Sequence, residues 1–402
     1  MKWHIITAEF PPQLGGVSDY TYQLAQALTT GTQDEIQVLA PETDDEAPLL
    51  PRVRVHRLPK GFGPRWLLAL DRALKKGGTD GTILVQYVPH GYGWKAMNLA
   101  FCIWLLRQRH RRVFVMFHEV AYPFKNKQPL KHDFLAAVHR LMAWMVLASA
   151  ERSFTSIEPY RSLLNRLAPR ANVELLRICS NVPFSGLRKT YHKGIGKSHV
   201  DFKTVGIFSN FPPDICNFLK LVVPILLENP DIRLRLIGPG EAFVEQIRSR
   251  FPHLAQQIST TGRLAAVDAG PHLQACDVLL QIYPDGAAGA RGTLTAALAS
   301  GVPVVTNPGH LTEPLFKSSG AVALADSEPE AICQVVEQLL SDRSAIQKIG
   351  TAGRNLYEKH FDISVTVDKL RSAVKASTGQ VDDRIPPDKI ERSRRDRVAS
   401  GS

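Results

Sequence analysis

A chain of 402 residues with 44% hydrophobic and 22% charged residues has the apolar content for two full cores, which excludes an intrinsically disordered polymer. Lys and Arg outnumber Asp and Glu by 49 to 38, and the formal net charge of +11 points to an anionic partner: nucleic acid, an anionic membrane surface or a phosphorylated small molecule. No zinc-finger spacing, aromatic–basic RNA motif or long Lys/Arg block occurs in the part that reads as folded, which argues against nucleic acid.

The five cysteines, Cys102, Cys179, Cys216, Cys276 and Cys333, are scattered and form no CxxC pair, as expected of free thiols in a reducing compartment. The N-terminus lacks a signal-peptide pattern, and no run of about 18 uninterrupted apolar residues predicts a membrane span. The nearest candidate, residues 134–150, contains His139 and Arg140 and reads as a buried or partly membrane-facing amphipathic helix.

In chain order, residues 3–8 read as a short apolar strand. A loop with Gly15 and Gly16 follows, then a helix over 18–28 capped by Ser18 or Asp19. Strands at 36–40 and 53–58, a helix at 65–76, a strand at 82–88 and a helix at 99–109 come next. The strand over 112–117 delivers His118 and Glu119 at its C-terminal end. A strand at 152–156, a helix from Pro159 and a strand at 173–178 close this half. The alternation restarts with strands at 204–208 and 232–237 around a helix at 216–228, and the second of these strands ends in Gly238-Pro239-Gly240. A helix to about 251, the stretch 258–262 and a helix near 269–276 lead to an apolar strand at 277–283. A helix at 293–300, a strand at 302–306 and helices at 329–341, 343–360 and 365–376 complete the pattern.

Such strand–helix alternation predicts an α/β fold of two doubly wound Rossmann-like domains facing across a cleft. Residues 1–185 form the first domain, 186–202 a linker and 203–360 the second domain. A C-terminal helix over 361–376 packs back on the first domain, and 377–402 is a disordered basic tail. Ligands of doubly wound sheets sit at the C-terminal ends of strands. The stretch 285–306 is the strongest such place: a Gly-rich loop opens a helix near Thr293, leaving backbone N–H groups toward solvent, with the planar cation Arg291 beside it.

Several stretches together resemble the GT-B glycosyltransferases, in particular their large retaining family four. Residues 11–28, with Pro11-Pro12-Gln13-Leu14-Gly15-Gly16-Val17, resemble its N-terminal signature. His118 is placed like its active-site histidine. Ser180-Asn181-Val182-Pro183, Gly238-Pro239-Gly240, Gly262-Arg263, Gly301-Val302-Pro303 and Gly309–Glu313 follow in the family's order, so the likeness covers residues 1 to about 375. Two glutamates that the family carries eight positions apart fall here at Ala287 and Thr295. Its basic pair belongs in 207–217, which has neither Arg nor Lys; Lys220 is the nearest, and Arg291 stands in for the pair.

The resemblance implies a sugar transferase acting from a UDP- or GDP-sugar to a polysaccharide, lipid-linked or small-molecule acceptor, with retention and without a metal or other cofactor. The first domain then takes the acceptor and the second the donor. His118 and Asp19 are the catalytic candidates; Gly15, Gly16, Gly238, Arg291, Gly292, Thr293, Thr295 and Glu313 are the donor-binding ones. Structural alternatives stand beside them: Asp19 as a helix cap, His118 as a satisfied strand-end histidine, Thr295 on a helix surface, Glu313 in a surface loop and Gly238 as a backbone turn. The replaced glutamates motivate a second reading, a non-catalytic GT-B binding or partner subunit. The basic clusters at 107–112 and 125–131 fit either a solvated face or an anionic membrane, giving an expected location in the cytoplasm, peripheral to the inner face of the membrane.

Overall fold

The computed structural model describes residues 1–44, 46, 48–78, 80–124, 127–184 and 202–379. The first sheet contains β1 (Lys2–Thr7), β2 (Glu35–Pro41), β3 (Val53–Leu58), β4 (Thr82–Tyr87), β5 (Val113–Phe117), β6 (Arg152–Thr155) and β7 (Val173–Leu175), in the order β3-β2-β1-β4-β5-β6-β7. The second contains β8 (Lys203–Phe208), β9 (Ile232–Ile237), β10 (Ile258–Thr260), β11 (Val278–Gln281), β12 (Val304–Thr306) and β13 (Ala323–Leu324), in the order β10-β9-β8-β11-β12-β13. Among the described residues every strand pairing within these sheets is parallel. The expected fold class, two Rossmann-like α/β sheets, is the observed one.

Parallel sheets need cover on both faces, and the helices supply it. In the first half these are α1 (Gly16–Thr29), α2 (Pro64–Gly77), α3 (Leu99–Arg107), α4 (Leu130–Ser149) and α5 (Glu158–Leu167). In the second they are α6 (Pro213–Leu226), α7 (Glu241–Arg250), α8 (Ala266–Gln274), α9 (Gly292–Ser300), α10 (Pro314–Ser318), α11 (Pro329–Ser341), α12 (Arg343–His360) and α13 (Ile363–Thr378). One face of the first sheet packs Val85, Val115 and Phe117 against Trp66, Phe101 and Met142 of α2, α3 and α4. The other packs Ile5, Leu84 and Phe114 against Leu24 and Leu28 of α1 and Leu370 of α13. The last helix therefore crosses back to the first sheet. Arg371 fixes it there, donating to Leu28 O, Thr32 Oγ1 and Asp34 Oδ2 at 2.9, 3.0 and 3.0 Å.

Boundaries differ from expectation where the signal is short or non-local. The first helix begins at Gly16, so Ser18 is an interior residue and neither Ser18 nor Asp19 is the cap. Helix α4 begins four residues before the expected start, directly after Pro129, whose fixed φ suits a helix entry. The five-residue α10 and two-residue β13 are too short to carry periodicity. Helix α13 continues through Thr378, past the expected start of the tail, and ends at Gly379 in the left-handed region. Residues 185–201, most of the expected linker, and the expected tail from residue 380 lie outside the described residues.

Strand order reverses between β1 and β4 and again between β8 and β11. Both switch points open at the C-terminal ends of their strands, where loops diverge and leave a crevice. The loop after β1 carries Gly15, and the loop after β11 carries residues 282–291.

Candidate functional site

A cavity of about 520 Å³ lies between these loops. From the first half it takes Gly15, Gly16, Asp19, His118 and Asn181, and from the second Asp285, Arg291 and Gly292. The fold thus gathers six of the ten candidates (Gly15, Gly16, Asp19, His118, Arg291, Gly292) around one space.

Two helix ends point into it, and they differ. Gly15 precedes α1 at a close approach to Glu9: a Cβ at Gly15 would collide with the Glu9 carboxylate. Glu9 Oε1 accepts from Val17 N and Ser18 N at 3.0 Å each, so an acidic side chain from the end of β1 already caps α1. Ser18 itself donates its hydroxyl to Gln13 O at 2.6 Å. A local capping rule misses Glu9, because it lies eight residues from the amide it serves. The α9 end is open. It has no side-chain cap and no acidic residue in its first turn, and a Cβ at Gly292 would meet nothing within 4 Å. Its first amides and its dipole therefore remain available to an anion.

Arg291, the residue before α9, stands over the Tyr283 ring at 5.3 Å and pairs with Asp285. One arm of the guanidinium is used in this way. A guanidinium has five donors in a rigid fork, so others remain for a ligand. Thr293 is turned aside, with its hydroxyl 2.8 Å from the Tyr283 hydroxyl.

Three candidates sit elsewhere. Thr295 is fully buried and donates its hydroxyl to Gly292 O at 3.0 Å, so it is neither helix surface nor ligand-facing. The run Leu294–Ser300 is buried all round because its small side chains let α9 sit inside the domain. Ala287, eight positions before Thr295, is also fully buried, with its N–H donating to Asn307 O. Gly238 follows β9 with φ near +124°, and a Cβ there would collide with Ser209 O, a backbone turn that only glycine accommodates without strain. It does not line the cavity.

Glu313 is the third. It is 1% exposed and forms a buried ion pair with Arg177, whose Nη1 donates a bifurcated hydrogen bond to its two carboxylate oxygens at 2.9 and 2.7 Å. Its oxygens also accept from Gly289 N at 3.0 Å and Glu158 N at 3.3 Å. A surface loop is excluded, and so is a free carboxylate for a donor hydroxyl. Instead the side chain ties the 285–292 loop to two residues of the first half.

His118 is held by its neighbours. Its Nε2 lies 2.6 Å from Gln86 Oε1, and its ring meets Tyr20 edge-on at 5.0 Å. Burial lowers its pKa from the ordinary 6.5 to about 4, with the Glu119 charge opposing, so the imidazole is neutral at pH 7. Glu119 turns to His90 at 3.1 Å; that hydrogen bond lowers the carboxyl and raises the imidazole of His90. Asp19 Oδ2 accepts from Asn181 Nδ2 at 3.0 Å, which ties α1 to the segment before the linker. His90, Glu9, Tyr160 and Asp285 also line the cavity and carry no motif that marks them in the sequence.

The His118 environment has a measurable consequence. An unfolded chain binds the proton near 6.5 and the folded one only near 4, so His118 makes the fold lose stability as pH falls through that window. The loss in denaturation midpoint between pH 7 and pH 4.5 is expected to be smaller in His118→Gln than in the wild type. An equal loss in both proteins would place His118 in a solvated environment.

Comparison with known proteins gives a consistent result. The profile of the family described as Glycosyl transferases group 1 matches residues 202–342. Among curated proteins, the chain has no match. Among solved structures it is similar to sucrose-phosphate synthase from Thermosynechococcus elongatus, with a TM-score of 0.70 and 17% identity over 94% of this chain and 99% of that one. HepE of Anabaena in complex with UDP and glucose matches with a TM-score of 0.60 and 14% identity, over 94% and 100% of the two chains. WaaG, a glycosyltransferase involved in lipopolysaccharide biosynthesis, matches with a TM-score of 0.59 and 14% identity, over 92% and 98%. Identities this low establish a shared fold. Residues 202–342 therefore match the glycosyl transferases group 1 family, and the whole chain shares the two-sheet fold of these solved glycosyltransferases.

Proposed function

We propose that the protein transfers a sugar from a UDP- or GDP-sugar to a polysaccharide, lipid-linked or small-molecule acceptor, with retention at the anomeric carbon. The observation that carries this reading is the uncapped α9 terminus with Arg291 beside it, facing His118 and Asp19 across one cavity. A nucleoside diphosphate leaving group develops negative charge as the sugar–oxygen bond breaks. Fixed N–H groups of Gly292 and the turn after it, together with Arg291, stabilise that charge more in the transition state than in the ground state. Gly15 and Gly16 line the same space from the other wall. Neutral His118 offers a hydrogen bond to a sugar hydroxyl, and Asp19 positions the acceptor side. Complexes of HepE with UDP and UDP-glucose support a nucleotide sugar as the donor class.

An adjoining cavity of about 710 Å³ suits the acceptor. It shares Glu9, Val17, Val88 and His90 with the cleft and adds Lys60 and Phe62. Five free cysteines fit a cytoplasmic location. Arg291 and the open α9 amides answer the pyrophosphate charge in this reading, so turnover is expected to persist in EDTA. Buried Ala287 and Thr295, at the positions where family four carries glutamates, favour the second reading of a binding subunit.

Hydrolysis of UDP-, GDP- and ADP-sugars by the purified protein separates the two readings. Sugar release from one donor is expected, reduced about 10- to 100-fold in Arg291→Ala by loss of charge-assisted bonds, with a reduction also in His118→Ala. Donor binding without turnover would assign the chain to the binding class. Unchanged turnover in both variants would remove these residues from the site.

A further inference from the structure

We propose that the solvent face of α4 is a docking surface for an anionic lipid bilayer. This helix is 20 residues long, about 30 Å, and it is apolar on two opposite sides. Ala136, Met142, Ala143, Val146 and Leu147 face the core. On the other side Leu130, Phe134, Ala137, Leu141, Trp144 and Ala148 recur at intervals of four and three, which align on one helix face. All six are exposed; Leu130 is 85%, Phe134 63% and Trp144 49% accessible. A surface helix ordinarily places polar residues there. Phe124, just before α4, and Ile103 of α3 are also exposed, at 53% and 47%.

Charge selects the occupant. Residues 99–149 carry eight Lys and Arg against two Asp and Glu. Of the two acids, Asp133 is engaged by Gln128 and Glu119 by His90 at the cleft. Lys127 and Lys131 are exposed at the start of the stripe, Arg107 and Arg109 are exposed at the end of α3, and Arg140 lies 4.0 Å from the Phe124 ring centroid. A second copy of the chain would bring two cationic rims together. An anionic bilayer instead receives the apolar stripe at its headgroup level and the cations at its surface. No described helix is long and apolar enough to cross a membrane, so α4 lies along the surface. Tyr122, four residues after His118, is bonded to this helix, with Tyr122 N donating to His139 Nδ1 at 3.1 Å and Arg140 Nη1 to Tyr122 O at 3.0 Å. Docking would therefore hold the first half of the cleft near the membrane. The inference does not depend on the sugar-transfer reading.

Sedimentation of the full chain with vesicles tests it. Binding is expected to phosphatidylcholine vesicles containing phosphatidylglycerol and not to pure phosphatidylcholine, and to weaken as salt is raised. Phe134→Ser/Trp144→Ser is expected to weaken binding at least about 10-fold. Lys127→Glu/Lys131→Glu is expected to weaken it about 10-fold or more. All four side chains are exposed, so unchanged thermal unfolding of both variants confirms that the fold is intact. Failure of the wild type to bind anionic vesicles, or equal binding by both variants, would overturn the proposal. So would a dimer in gel filtration that Phe134→Ser/Trp144→Ser dissolves, which would give the face to a second copy.

Discussion

Glu313→Ala is expected to cost about 3–5 kcal/mol of folding stability, read as a lower denaturant midpoint with little change in slope. The reason is the asymmetry of a buried ion pair. Glu313 is 1% exposed and accepts from the Arg177 guanidinium, Gly289 N and Glu158 N. Removing the carboxylate strands the Arg177 charge, which is itself 11% exposed, beside the Phe361 ring. Water cannot easily replace three donors' partner in that space. Replacing the pair together, as Arg177→Met with Glu313→Leu, removes both charges and is expected to recover much of the loss. A midpoint unchanged in Glu313→Ala would mean that the pair is solvated. The substitution should also weaken nucleotide binding, because Gly289 belongs to the loop that carries Asp285 and Arg291.

Arg291→Ala carries the second large effect. A guanidinium at an uncapped helix end supplies charge-assisted hydrogen bonds worth about 1.5–3 kcal/mol, so nucleotide affinity is expected to fall about 10- to 100-fold. Arg291→Lys keeps the charge and loses the fork, and is expected to fall between the two. Stability should change little in both, since the side chain is 38% exposed and its partner Asp285 lies at the cavity wall. That contrast separates the two predictions: Glu313 substitutions lower stability and affinity together, whereas Arg291 substitutions lower affinity alone.

The parts of this molecule legible in the sequence are those set by local periodicity. Strand β9 and helices α11 and α12 are legible to the residue, because apolar spacing fills them and Pro329 and Asp342 mark the starts of the two helices. The anion loop was legible for the same reason: a strand, glycines and a helix in immediate succession. Long-range pairing was not. Arg177 and Glu313 are 136 residues apart, and neither has a neighbour that announces a buried bond. Glu9 caps a helix from outside the window in which capping rules apply. Thr295 reads in the sequence as a donor-binding candidate, with a helix surface as its alternative, and is neither: the alanines around it signal a helix with no exposed side. Helix α4 reads as apolar in the sequence, but only its packing separates the stripe that is buried from the one that is not.

The central claim is that the α9 terminus and Arg291 form the binding site for a nucleotide sugar. Titration calorimetry of UDP-, GDP- and ADP-sugars against the wild type and Arg291→Ala tests it most directly. Saturable binding of one donor to the wild type, weakened about 10- to 100-fold in the variant, is the expected result. Absence of binding for all three donors, or equal affinity in the two proteins, would contradict it.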